Sequence, residues 1–228
     1  MTDQMITDSS PDTAPPDSSE PDYEVVVIGA GVGGIYQIKR LIDLGVNATV
    51  LEGDEDLGGT WYRNRYPGAR FDSESFTYGY SWDREVLDEW HWKEMFSPQP
   101  ETLKYLNYVA DKFGLRDHMQ FNCYVEKMVF DEPSCNWTLF LKDGREITSR
   151  FVLTAIGLLS VPTLPRIKGI DDFEGASFHT FDWPLEPIDL EGKRVAVIGT
   201  GATAIQLIPE VAKEAETLTV FQLSLIHI

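Results

Sequence analysis

Residues 23–52 read YEVVVIGAGVGGIYQIKRLIDLGVNATVLE. The run from Tyr23 to Ile28 is short, apolar and β-branched, and Gly29 stops it, which fits a strand buried on both faces. Residues 33–44 have helical spacing and end at Gly45, and Ala48-Thr49-Val50-Leu51 predicts a second buried strand. Between the first strand and the helix, Gly29, Gly31 and Gly34 give G-x-G-x-x-G. The first glycine permits a tight turn, the second lets a pyrophosphate approach the backbone, and the third lets helix and strand pack closely. The helix start offers free N–H groups to the phosphates. Glu52 ends the second strand, 18 residues past Gly34, where a carboxylate can accept hydrogen bonds from both hydroxyls of a ribose. A dinucleotide site is expected here.

The same grammar recurs near the other end. A strand over 194–198, a helix over 202–213 and a strand over 217–221 enclose Gly199-Thr200-Gly201-Ala202-Thr203-Ala204, whose last position is the tolerated alanine. Two such units predict an α/β protein with two Rossmann-type dinucleotide-binding domains. A common reason for the pairing is hydride transfer from a nicotinamide to a flavin. The first unit is assigned to the flavin, because Glu52 suits an unphosphorylated ribose. Gln222, not an acid, follows the second unit's last strand, so a 2′-phosphate would not be repelled there.

Between the units, residues 52–100 are rich in Gly, Pro, Asp and aromatics with little periodicity, and loops this long are usually functional. A helix is predicted over 102–113, ending before Gly114, with strands over 119–130, 137–141 and 151–156. Asp143-Gly144 is expected to make a two-residue hairpin turn. Pro and Gly cluster again from 157 to 187, as in a linker.

Composition narrows the class. The 228 residues carry 37 acidic and 19 basic side chains, a net charge of −18, which argues against a nucleic-acid or anionic-membrane surface. No apolar run reaches the roughly 20 residues a membrane helix needs, and the N-terminus lacks a signal-peptide pattern. Cys123 and Cys135 cannot make a disulfide framework, so a reduced, cytoplasmic protein is expected. His91, His118 and His227 have no metal-type spacing, and no metal site is expected. Residues 1–22 hold six acids, four prolines and no base, the composition of a disordered acidic tail. The aromatic run over 82–92 is read as packing or substrate-entry lining in preference to a distinct site.

Two further segments are distinctive: Gly58-Gly59-Thr60-Trp61-Tyr62 with Asn64-Arg65-Tyr66-Pro67-Gly68-Ala69-Arg70-Phe71-Asp72, and Phe173-x-Gly175-x-x-x-His179-x-x-x-Trp183-Pro184. With the two glycine turns, these resemble the type I Baeyer–Villiger monooxygenases over about residues 23–222. The resemblance implies an FAD domain, followed by the start of an NADPH domain. It implies conversion of ketones to esters or lactones with NADPH and O2 through a C4a-peroxyflavin. Asp72 is then the active-site carboxylate expected to orient a catalytic arginine. Gly29, Gly31, Gly34, Glu52, Thr60, Trp61, Tyr78 and Val125 would line FAD. Arg70 and Asp72 would approach the nicotinamide, and Thr200, Gly201, Ala202, Thr203, Ala204 and Gln206 would hold the NADPH pyrophosphate. His179 and Trp183 would belong to a hinge linked to NADPH handling. The Trp183-Pro184 pair counts against the related flavin N- and S-oxygenases, which stand as the alternative beside a non-catalytic nucleotide-binding module.

The expected organisation is a tail over 1–22, an FAD-binding part over 23–157, a linker over 158–187, the start of an NADPH-binding domain over 188–222, and a non-native tail over 223–228. Arg63 and Phe71 depart from the family, where an aromatic and a cysteine are frequent. After Gln222 the family continues with an arginine expected to meet the 2′-phosphate, whereas here Leu223-Ser224-Leu225-Ile226-His227-Ile228 resembles a translated adapter. The chain is therefore read as a truncated N-terminal fragment, inactive by itself. The identity of the ketone and the oligomeric state are not readable from these residues.

Overall fold

The computed structural model describes residues 20–222. Most of the expected acidic tail and the hexapeptide 223–228 lie outside the described residues. Asp22 does not behave as tail: its backbone N–H donates to Thr148 Oγ1 at 3.0 Å, and its carboxylate accepts from the N–H and hydroxyl of Thr148, both at 2.8 Å.

In chain order the elements are β1 (Tyr23–Ile28), α1 (Val32–Asp43), β2 (Ala48–Leu51), α2 (Thr60–Arg63), α3 (Arg84–Glu89), α4 (Gln99–Lys112), β3 (Met119–Gln120), β4 (Val125–Asp131), β5 (Asn136–Leu141), β6 (Glu146–Thr154), β7 (Arg194–Ile198), α5 (Ala202–Val211) and β8 (Thr217–Phe221). Six strands form one sheet in the order β3-β2-β1-β6-β5-β4, and β7 and β8 pair as a separate parallel ribbon. β1 lies parallel to both β2 and β6, while β4, β5 and β6 run antiparallel.

The β-branched run of β1 is explained by its two faces. Val25 and Val27 join a core with Ile35 and Ile38 of α1 and Tyr105, Leu106 and Val109 of α4. Val26 points the other way, into a core with Leu139, Leu141 and Ile147. Each such side chain, fully buried, contributes roughly 1.5–3 kcal/mol. Helix α1 ends where Gly45 takes φ +70° and its N–H reaches the Ile42 carbonyl at 2.9 Å.

Three sequence expectations are corrected. The predicted strand over 119–130 is two strands, because Asn122 turns at φ +57°; β3 then pairs with β2 and β4 with β5. Helix α4 begins three residues earlier than the periodicity placed it, since Pro100 falls in the first turn, where its missing N–H costs nothing. At the hairpin, Gly144 alone of the Asp143-Gly144 pair has positive φ, and the Leu141 N–H bonds the Arg145 carbonyl at 2.9 Å. That is a three-residue loop with a glycine bulge, not the two-residue turn. In the aromatic run, Trp82, Trp90 and Trp92 pack with tilted rings against Tyr105, Tyr108 and Phe113.

Candidate dinucleotide sites

Both glycine turns are built alike. The register Ile28↔Leu51 ends β1 and β2 level, and the Gly29 N–H closes on the Leu51 carbonyl at 2.8 Å. In the second unit Ile198 faces Phe221, and the Gly199 N–H closes on the Phe221 carbonyl at the same 2.8 Å. Gly31 and Gly201 are the caps of α1 and α5; neither helix has a side-chain cap or an acid in its first turn. The N–H groups of each first turn are thus left to water or to an anion.

The glycines differ in what demands them. Gly29 has φ +101°, and a Cβ there would meet the Ala155 carbonyl at 2.7 Å; a Cβ on Gly34 would fall 1.8 Å from the Gly29 carbonyl oxygen. Those two are required by the fold. Gly31 is not: its φ is −75°, and a Cβ would meet Gly59 Cα at an ordinary 3.6 Å. Around Gly201 nothing lies within 4 Å of such a Cβ. Bare backbone at the mouth of each helix, with no protein atom requiring it, fits a pyrophosphate resting against the chain.

Glu52 stands beside the first turn, 8% exposed, with Oε2 accepting from the Ala30 N–H at 2.6 Å and Oε1 from the Asp54 N–H at 2.9 Å. Burial raises its pKa, and the backbone donors at Ala30 and Asp54 hold it back. The Gly53 N–H is a third backbone donor to the carboxylate, and of the roughly four lone-pair sites on its two oxygens at least one is left for a hydroxyl donor.

The remaining expected residues fall in several places. Thr60 is exposed at the start of α2. Trp61 is buried: its indole N–H donates to the Tyr78 hydroxyl at 3.0 Å, and its ring meets Phe71 edge-on at 4.7 Å. Phe71 thus fills an aromatic cluster with Tyr78 and Trp92. Val125 opens β4 opposite Leu141, half-buried. Arg70 and Asp72 are exposed, and Arg70 lies 3.4 Å from Glu94. His179 uses Nδ1 to accept the Phe181 N–H at 3.1 Å and so caps the 3-10 turn Thr180–Asp182. Trp183 lies 5.9 Å from the Phe178 ring and packs against the second unit's core. In the same motif a Cβ on Gly175 would strike the Phe173 ring at 2.6 Å.

Gln206 faces the loop that carries Arg70. Its Oε1 accepts from the Tyr66 hydroxyl at 2.8 Å and from the Arg70 N–H at 3.2 Å, while Nε2 donates to the Arg70 carbonyl at 3.0 Å. Tyr66 stands within a motif quoted from the sequence but was given no role there. Its partner is 140 residues away, a distance that local patterning cannot bridge. Arg63, noted only as a departure, makes a two-pronged pair with Asp54 and lies 3.7 Å from Asp182.

Fold and candidate site together define an α/β protein with two strand–glycine turn–helix units of matching build. Residues 22–224 match the model of the flavin-binding monooxygenase-like family, and the chain belongs to that family. It is 45% identical over 208 residues to a cyclohexanone 1,2-monooxygenase of Acinetobacter sp, covering 91% of this chain and 38% of that relative. It is 43% identical over 209 residues to phenazine N-monooxygenase PhzNO1 of Lysobacter antibioticus, covering 91% of this chain and 38% of the relative. Among solved structures, an OTEMO complex with FAD and NADP superposes with a TM-score of 0.85 at 46% identity, covering 89% of this chain and 39% of that one. The chain spans less than two-fifths of the length of the curated relatives it matches.

Proposed function

We propose that this chain supplies the FAD- and NADPH-binding portion of a Baeyer–Villiger monooxygenase that converts ketones to esters or lactones. The observation that carries the reading is the pair of glycine turns whose Gly31 and Gly201 no protein contact requires. The first turn, with Glu52 accepting from the adenosine ribose, would hold FAD; the second, with Thr200, Gly201, Ala202 and Thr203, would hold NADPH. When bound, FAD supplies the redox chemistry with O2 and NADPH supplies the hydride. Asp72 and Arg70 stand on a loop of the first unit that contacts α5 through Gln206, a position from which a carboxylate and a guanidinium can orient groups between two nucleotides. His179 and Trp183 would act through the linker they cap and pack, without touching reacting atoms. The cytoplasm suits free thiols at Cys123 and Cys135. The FAD-binding part would span 23–157, the linker 158–187 and the start of the NADPH-binding part 188–222.

A second reading, oxygenation at nitrogen, is favoured by the 43% identity to a phenazine N-monooxygenase. One assay separates the two. A full-length protein carrying this sequence is supplied with NADPH, O2 and a panel of cyclic and linear ketones, amines and sulfides. Ester or lactone products are expected; N- or S-oxides with no ketone oxidation would overturn the first reading.

A further inference from the structure

The segment bearing Arg70 and Asp72 is held from two sides. On one, the Phe71 N–H bonds the Ser97 carbonyl at 3.0 Å and the Gln99 N–H bonds the Ala69 carbonyl at 2.8 Å, a short antiparallel bridge centred on Arg70 and Pro98. On the other, the Gln206 amide pairs with both backbone polar groups of Arg70, as a neighbouring strand would. The approach is close enough that Gly68, at φ +82°, has no room for a side chain: a Cβ would lie 2.3 Å from the Gln206 carbonyl oxygen. Tyr66 completes the arrangement. Its ring is buried with Ala69 among Val197, Ala204, Leu207 and Val211. Its hydroxyl donates to Gln206, which lies one turn along α5 from the helix's first residues. Burial raises the Tyr66 pKa, so the hydroxyl stays protonated and remains a donor.

We propose that Tyr66 and Gln206 are positioning residues, a polar latch that fixes the Arg70–Asp72 segment to α5 and transmits occupancy of the second glycine turn to it. The transmission rests on reading that turn as the nicotinamide nucleotide site; the latch itself does not. The physical route is short. An anion on the first-turn N–H groups of α5 orders that turn, the same helix carries Gln206 on its next turn, and Gln206 with Tyr66 orders the Arg70 backbone. Gln206 is thereby assigned to the protein side of the site, with both ends of its amide engaged, and not to the phosphates.

Amide hydrogen exchange on the 228-residue chain, with and without NADP+, tests this. The variants are Tyr66→Phe, Gln206→Met and the double variant; unchanged protection of the β1 and β6 amides confirms that each still folds. In the wild-type chain the Arg70 amide is expected to be protected and to slow further with NADP+. Gln206→Met should speed its exchange at least tenfold, and the double variant should be no faster, because the Tyr66 bond needs Gln206. Either single variant should abolish the NADP+ effect at residues 66–71, and Tyr66→Phe decides the matter if Gln206→Met does not fold. An unprotected Arg70 amide in the wild type, or unchanged exchange in Gln206→Met, overturns the latch. Slowing by NADP+ at 199–206 without slowing at 66–71 overturns the transmission and leaves the nucleotide site standing. No slowing at either segment overturns the nucleotide reading and the transmission with it.

Discussion

Gly34 and Gly31 are three positions apart and glycine for different reasons. At Gly34 a methyl would sit 1.8 Å from the Gly29 carbonyl oxygen, so Gly34→Ala should cost about 3 kcal/mol or more, at the upper end of overpacking penalties. Gly31→Ala meets only ordinary contact at 3.6 Å and should stay within about 1 kcal/mol of wild type, while lowering flavin affinity at least tenfold. Urea midpoints and flavin titration separate the two effects; equal loss of stability in both variants would contradict them. Glu52 gives a pH signature. Its raised pKa means the folded chain holds more protons than the unfolded one between the ordinary carboxylate value and the raised one. Stability of the ligand-free chain should therefore fall as pH rises through that window and level off above it. Relative to Glu52→Gln, wild type should lose stability as pH rises through the window, which isolates this residue; a wild type that gains stability on the variant there would contradict the assignment.

At the scale of elements, legibility followed locality. β1, α1 and β2 were readable because each is decided by neighbours within a few residues: Ile28 by Gly29, α1 by Gly45, Glu52 by the strand it ends. The split between β3 and β4 was not, because Asn122 turns the chain toward two different partner strands, and partner choice is a tertiary matter. The loop over 64–72 was recognised by its residues, but its docking on α5 was invisible, since Tyr66 and Gln206 are distant in the chain. Arg63 is a similar case. Its guanidinium is two-fifths exposed while the Asp54 carboxylate it grips is only 12% exposed, so Arg63→Ala strips a largely buried acceptor of its partner. A loss of about 1–2 kcal/mol is expected, reduced from the fully buried case by solvent at the Arg63 side. Chemical denaturation measures it, and raising the salt concentration should narrow the gap between wild type and variant; a variant as stable as wild type at low salt would show that Asp54 needs no partner.

At the scale of the whole molecule, two glycine turns of matching geometry serve two sheets, one of six strands and one of two. The loop over 64–72 and the linker motif around His179 and Trp183 join them. Fold class and both turns were legible from the sequence because a strand, three small residues and a helix form a local pattern. The candidate residues outside the two turns were legible only through resemblance, because they come from segments far apart in the chain. The central claim is that the two turns take different dinucleotides, FAD at the first and NADP(H) at the second. The most direct measurement is a crossed binding experiment on the 228-residue chain, titrating wild type, Gly31→Ala and Gly201→Ala with FAD and separately with NADP+. The expected result is that wild type binds both, Gly31→Ala loses FAD and keeps NADP+, and Gly201→Ala does the reverse. A wild-type chain that binds neither, or variants that bind both as wild type does, would contradict it.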